Sequence, residues 1–328
     1  MRPAIARATI ASLTADLADL NDPADARALL GLLRTLYAVG RRDVPLGRLF
    51  EGHVDALQLV SRYGTAAQRE AARTAARAGG AFGVWNADWP GDAARLEDGR
   101  LAGGKAFASG AGILSHAIVP VDGGGGRQLL LVDLAAAPPE IDRTWWRVTG
   151  MQRSETHRVR WSGARLAEEA AIGSPGDYVR EPWFSGGALR FAAVQAGAVA
   201  GLVDQVRDHL VAQDRAGDPH QAGRLADLYL AAQSAADAVA AAARGWRADA
   251  VAETLAGVAA ARAAVYAAGE HALTLAQAAV GVQAMFVDHP LAATLADLAV
   301  YLRQPGPDAQ RMRAGAAVAN GLLTPALR

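Results

Sequence analysis

The 328-residue chain contains no cysteine. That one absence excludes disulfides, thiolate metal sites and cysteine nucleophiles together. It has no run of eighteen uninterrupted apolar residues, so no segment reads as a membrane span and no membrane partner is expected. It has no net charge, because 33 lysines and arginines offset 33 aspartates and glutamates. Without a positive excess there is no electrostatic footing for a polyanion, and nucleic acid is not an expected partner. Among the histidines, His53, His116 and His157 are scattered at no metal-ligand spacing, so no metal site is expected. The glycine run at 123–126 is followed by neither Lys-Ser/Thr nor a helix start; it reads as a loop and not as a phosphate cradle. The N-terminal MRPAIARATIASLTADLADL lacks a long apolar core and a small-residue cleavage pattern. It reads as a mature helix rather than a signal peptide, and a cytoplasmic location is expected.

Alanine, by contrast, is abundant and concentrated in helical stretches, where it costs little side-chain entropy and lets neighbouring helices approach. Residues 1–80 read as helices. Asp22-Pro23 is an expected N-cap and first-turn pair. Thr65 with Gln68 forms a capping box, and Gly79-Gly80 ends the helix that it opens. Val54, Leu57, Val60 and Ser61 fall on one face of a buried helix. From Ala81 the texture changes to short apolar runs with turn signals. Asp98-Gly99 predicts a two-residue hairpin, SHAIVPV and RQLLLVDL predict a second around the glycines, and HRVRW supplies another strand. No βαβ rhythm is present, so a small sandwich or barrel is expected. After GSPGDYVREPWFSGG the helical pattern resumes. It has one amphipathic segment at 187–213, helices starting near Pro219, Asp249 and Glu270, and shorter ones after His289-Pro290 and Pro307. The expected class is α+β in three domains: an N-terminal helical domain (1–80), a middle β-domain (81–180) and a C-terminal up-down helical bundle (181–328).

That order, with four collinear stretches, resembles the acyl-CoA dehydrogenase superfamily. The stretches are DGRLAGGKAFASGAGILSHAIV, GMQRSETHRVRWSGARLAEEAAIG, ALRFAAVQAGAVAGLVDQVRDHLVAQDR and HPLAATLADLAVYLRQPG. The resemblance implies an FAD-dependent oxidoreductase acting on a small-molecule substrate such as an acyl-CoA thioester. It also implies a homodimer or homotetramer, because in the family the bundle packs on a second copy with each flavin at that junction. An isoalloxazine ring needs an apolar wall and donors to its heteroatoms, while the hydride chemistry belongs to the cofactor. The matching positions are Phe107 for the wall and Ser109 for a hydroxyl, with Trp85, Asn86 and Ala87 on the pyrimidine side. Taken without the resemblance, Phe107 is a half-buried strand residue and Ser109 a turn residue before Gly110. Trp145-Trp146 read as cover for an edge of the β-domain core.

The departures from the family bear on activity. The N-terminal helical part is shorter by roughly a third than the family implies. Arg215 holds the place of an arginine that grips the pyrophosphate, but the loop after it is short and lacks the usual phenylalanine. The glycine-rich turn for the adenine end is represented by Gly281 alone. Ala296 replaces an arginine beside the retained Asp297. Acyl thioester dehydrogenation needs a carboxylate to remove the α-proton. Its two family positions fall on Pro305 and Leu189, and between Leu298 and Gln310 the only acid is Asp308. Asp288 and His289 are the candidate substitutes, against a structural reading as a helix cap beside a solvated imidazole. Glu270-His271 reads as a first-turn charge with its neighbour. Dehydrogenation is therefore expected to be altered or reduced. Flavin-dependent hydroxylases share the fold and need no such base, and KAFASG leans toward them. A non-catalytic subunit or binding module of the same fold is the alternative.

Overall fold

The structure is a computed structural model that describes residues 3–17, 22–304 and 306–326. Pro305 lies outside the described residues. In chain order the elements are α1 (Pro3–Ala15), α2 (Ala26–Arg42), α3 (Val44–Tyr63), α4 (Ala66–Arg77), β1 (Phe82–Val84), β2 (Arg95–Glu97), β3 (Arg100–Ala108), β4 (His116–Gly123), β5 (Gly126–Asp133), β6 (Glu140–Asp142), β7 (His157–Arg165) and β8 (Ala171–Ile172). Then follow α5 (Trp183–Gly186), α6 (Ala188–Ala212), α7 (Pro219–Arg244), α8 (Val251–Val280), α9 (Pro290–Tyr301) and α10 (Pro307–Ala319). They gather into two compact units. One holds Met1–Asp22, Arg48–Arg147 and Gln152–Arg180; the other holds Pro23–Gly47, Val148–Met151 and Glu181–Arg328.

The first unit is a sandwich of two four-stranded sheets, β1-β4-β5-β8 and β2-β3-β7-β6, with helices packed against the first. Asp98 and Gly99 both take positive φ and join Glu97 to its partner Arg100, as a two-residue hairpin requires. The second hairpin is tighter than its glycines suggest, because the ladder runs out to Gly123↔Gly126. β1 pairs with β4 in parallel, the one parallel pairing among the described strands. Leu57 and Val60 of α3, Ala72 of α4, Phe82, Ile118, Leu129 and Ile172 form one core cluster. The Thr65–Gln68 capping box is formed in both directions. Asp22 is not the cap of α2. Asp25 accepts from the Ala28 N–H instead, while the Asp22 carboxylate is held by the Arg62 guanidinium.

His53 ties this unit together. Its Nδ1 accepts the Phe82 N–H at 3.1 Å, so its Nε2 carries the proton and donates to Thr14 Oγ1 at 3.0 Å. Thr14 in turn donates to the Ile10 carbonyl. One neutral imidazole therefore links α1, α3 and β1, with the Phe50 and Phe82 rings on either side of it.

In the second unit the middle of α6 is buried on every side rather than along one face. Ala192 through Leu202 form one unbroken buried run, and α2, α7, α8 and α9 pack about it. Small residues make that possible. A Cβ on Gly197 would stand 2.1 Å from the Tyr37 carbonyl, and one on Gly40 would stand 2.2 Å from the Val194 carbonyl. The α2 and α6 backbones therefore cross in direct contact, and Arg41 pairs with Asp204 beside the crossing at 2.6 Å. No helix begins at Glu270. α8 runs unbroken through it because no proline intervenes, and Glu270 pairs with Arg303. By length and composition alone Trp183–Ala212 and Val251–Met285 are long and apolar enough to cross a membrane, a test that core helices also pass. The apolar stretch of the first is 78% buried inside the protein, as in a core helix, and that of the second 39%.

Burial lowers the His53 pKa from 6.5 to about 4. Above pH 6.5 the ring is neutral in both folded and unfolded chains and costs nothing. As pH falls the unfolded chain takes up the proton first, so stability is lost from pH 6.5 down to about 4. At about 1.4 kcal/mol per unit the full loss is about 3 kcal/mol. Denaturant titrations between pH 7 and 4 are expected to show this slope, and His53→Leu to flatten it while lowering stability at pH 7 by about 1–3 kcal/mol.

Candidate functional site

The expected flavin-site residues fall into two groups. Trp85, Asn86, Ala87, Phe107 and Ser109 are brought together in the sandwich unit, around one irregularity in β3. The ladder of β3 with β7 runs to Lys105↔Val159 and resumes at Ala108↔His157. Ala106 and Phe107 thus oppose the single residue Arg158, which defines a β-bulge. Phe107 takes φ 54, in the left-handed region that non-glycine residues seldom enter. Phe107 is 47% exposed, and its ring meets Trp145 edge-on with centroids 4.8 Å apart. Trp145 and Trp146 are half-buried, so these tryptophans continue the aromatic surface that Phe107 begins.

Ser109 follows the bulge. Its carbonyl accepts from Trp85 Nε1 at 2.9 Å, and its Oγ accepts from the Thr156 hydroxyl at 2.9 Å. Thr156 has one hydroxyl proton and gives it to Ser109, so the 2.7 Å contact with Ser154 must be a donation from Ser154. Ser154 and Thr156 are buried. The relay therefore runs Ser154 to Thr156 to Ser109, and among the described residues the Ser109 O–H donates to nothing. A polar donor is left at the end of a buried chain, two residues after the exposed Phe107.

The loop after β1 lies along β3. Ala106 N–H donates to the Ala87 carbonyl at 2.9 Å, and Trp89 N–H to the Gly104 carbonyl at 3.1 Å. Beneath it Lys105, whose side chain is completely buried, donates to Asp88 at 2.5 Å and to the Asn86 carbonyl at 3.3 Å. Arg127 of β5 donates to Asp88 at 2.8 Å and to Asn86 Oδ1 at 3.2 Å. Burial lowers the Lys105 pKa and the Asp88 carboxylate counters it. Residues 85–88 are thus held from two strands of two different sheets.

The other expected residues lie in the bundle unit. Arg215 is exposed just beyond α6, and Gly281 ends α8 at φ 76 and ψ −153, a region closed to residues with a side chain. Asp288 is exposed and His289 half-buried. His289 itself is the N-cap of α9: its Nδ1 accepts the Leu291 N–H, so its Nε2 donates to His209 Nδ1 at 3.2 Å. Burial, reinforced by the neighbouring His289, lowers the His209 pKa. Leu189 is fully buried, and the Asp297 carboxylate accepts the Met151 N–H. Asp308 is exposed and paired with Arg311 at 3.5 Å. No grouping of three or more metal-ligating side chains exists among the described residues.

Sequence reasoning missed Ser154 and Thr156, which precede β7. Ser154 closes a single 3-10 turn (Gln152–Ser154) and Glu155 after it takes φ 45, so no strand periodicity marks them. Arg158 lies on β7 itself.

The overall fold is that of the acyl-CoA dehydrogenases. Butyryl-CoA dehydrogenase from Megasphaera elsdenii superimposes with a TM-score of 0.74 at 16% identity, over 91% of this chain and 83% of that one. Dibenzothiophene monooxygenase (TdsC) from Paenibacillus sp. A11-2 superimposes with a TM-score of 0.77 at 17% identity, over 98% of both chains. That protein has also been solved with FMN bound, at 16% identity, a TM-score of 0.77 and the same coverage. Nitrososynthase from Micromonospora carbonacea var. africana gives a TM-score of 0.73 at 18% identity, over 89% of this chain and 82% of that one. No family model matches the sequence, and no curated protein does.

Because Lys105 is buried, its partner is indispensable. Asp88→Ala is expected to lower stability by about 3 kcal/mol at pH 7, since it leaves an uncompensated buried ammonium. Lys105→Met added to Asp88→Ala is expected to recover most of that loss, measured by denaturant unfolding.

Proposed function

We propose that the protein is a flavin-dependent oxidoreductase whose reaction does not remove the α-proton of an acyl thioester. The observation that carries the reading is the hydroxyl relay ending on Ser109, two residues after the exposed Phe107. A flavin ring fits that pair: Phe107 offers an apolar wall, and Ser109 holds a hydroxyl proton ready for an acceptor on the ring. When bound, the flavin supplies hydride transfer or, once reduced, reaction with dioxygen. The chain's own residues orient it. Trp85 fixes the Ser109 main chain, while Lys105 and Arg127 fix the loop carrying Asn86 and Ala87 against it. FAD is the form that the family resemblance implies. Arg215 and Gly281 would serve its adenine half, and the short loop and single glycine there leave that half with little to hold it. The near end-to-end match with a monooxygenase and the buried Leu189 at one base position together favour oxygen insertion into a small apolar substrate over acyl-CoA dehydrogenation. Domains divided at residues 80 and 180 and a cytoplasmic location belong to the same proposal, with α2 the helix of 1–80 that packs on the bundle.

The test is spectral and kinetic. Purified protein is expected to be yellow or to take up added FAD or FMN. Ser109→Ala is expected to weaken flavin retention several-fold to tens-fold, the loss of one hydrogen bond of about 1–2 kcal/mol. Dye reduction with a panel of acyl-CoA chain lengths is expected to stay far below one turnover per second. Faster turnover on any of them would overturn the reading, and protein that binds no flavin would favour a non-catalytic member of the fold.

We also propose a homodimer or homotetramer. The turn between α8 and α9 leaves Val282, Met285, Phe286 and Val287 exposed, at 74%, 52%, 61% and 91%. Covering such side chains is worth about 1.5–3 kcal/mol each. Light scattering at micromolar concentration should report an oligomer, and Phe286→Asp with Val287→Asp should shift it toward monomer.

A further inference from the structure

Arg158 is the residue of β7 that faces the bulge in β3, and neither the relay nor the loop clamp uses it. Its guanidinium carbon lies 4.8 Å from the ring centroid of Trp89 and 4.9 Å from that of Trp145. Trp145 in turn meets Phe107 at 4.8 Å and Trp146 at 5.9 Å. Arg158 therefore contacts both Trp89 and Trp145, and Trp145 carries the aromatic contact on to Phe107.

Among the described residues no acid pairs directly with that cation; Asp142, its register partner on β6, feels its charge without an ion pair. The buried Nε of Arg158 has no hydrogen-bond partner. The acids nearby are taken. Glu155 receives Arg143 at 2.7 Å and His157 at 3.1 Å, and Asp92 receives Arg160 at 2.7 Å and Arg95 at 3.4 Å. Asp142 accepts both the hydroxyl and the backbone N–H of Thr144, which hold its carboxyl low, with a smaller contribution from Arg158. Cation–π contacts with indoles leave the in-plane N–H donors of a guanidinium unused. Those donors form a fork that fits an oxyanion.

We propose that Arg158 receives the oxyanion, a carboxylate or a phosphate, of a planar aromatic ligand whose ring lies on Phe107 and Trp145. The proposal rests on the functional reading above for the placing of a ring on Phe107. Two molecules could bring the oxyanion: the flavin through its own phosphate, or an aromatic substrate through a carboxylate. The contacts with Trp89 and Trp145 restrain the guanidinium, so a bidentate acceptor meets a preorganised donor pair.

Calorimetric titration of the intact protein with two probe pairs tests this: FMN against riboflavin, and indole-3-carboxylate against indole. The wild type is expected to bind the anionic member of one pair about ten-fold more tightly than the neutral member, as one charge-assisted hydrogen-bond pair provides. Arg158→Gln is expected to reduce that preference to within about two-fold and to leave the neutral probe's affinity unchanged. Arg158→Lys is expected to keep part of it. A preference in the flavin pair assigns the cofactor phosphate, and one in the indole pair assigns the substrate. Equal binding within both pairs in the wild type, no binding of any of the four probes, or a preference that survives Arg158→Gln would each overturn the proposal. The wild-type comparison stands whether or not a variant folds. Failure of the flavin reading shows separately, as loss of both flavins while the indole pair still reports on Arg158.

Discussion

A single buried ammonium organises the sandwich unit. Lys105 sits in the middle of β3 with its side chain wholly out of water, and a buried cation is tolerable only when an acid comes to meet it. Asp88 does so, and thereby brings the loop after β1 down onto β3. Arg127, from the other sheet, shares the same carboxylate. One acid thus joins two sheets and a loop, and the order of Asn86 and Ala87 follows from it. The bulge at Ala106 and Phe107 comes immediately after Lys105. The strand is anchored by Lys105 on one side of the irregularity and by the hydrogen bonds of Ser109 on the other. That anchoring is what allows Phe107 to keep an unfavourable backbone conformation with its ring turned outward.

Local chemistry could be read directly from residues. The capping box of Thr65 and Gln68 and the Asp98-Gly99 hairpin each involve neighbours a few positions apart, and each formed as such patterns should. Two readings of the same kind failed for one reason, competition from a distant partner. Asp22 had the residue type and the following proline of a cap, yet Arg62, 40 positions away, claims its carboxylate. Glu270 resembled a first-turn acid, yet it lies inside the long α8 and pairs with Arg303, 33 positions away. Distant pairing leaves no trace in a window of ten residues.

The candidate site divides along the same line. Phe107 and Ser109 were found by resemblance of the surrounding stretch, and neither would stand out on composition. Their geometry depends on the register of β3 with β7, on a bulge, and on Thr156 and Ser154 supplying protons from elsewhere in the chain. In the bundle unit the Asp288-His289 pair illustrates the converse. Adjacent in sequence, the two do not act together: the imidazole turns to cap α9 and to donate to His209, 80 positions earlier.

The crossing of α2 with α6 has a consequence for how the molecule is made. Arg41 and its partner Asp204 are 163 positions apart in sequence, and the two backbones touch through Gly40 and Gly197. A ribosome therefore releases α2 long before the helix that must lie against it exists. During that interval Leu29, Leu33 and Leu36, all buried in the finished protein, face solvent or whatever shields nascent apolar surface. The sandwich, whose strands are all complete by Ile172, can be assembled in the meantime. Such long-range closure is entropically slow. The crossing of α2 with α6 can close only once α6, which ends at Ala212, has been made.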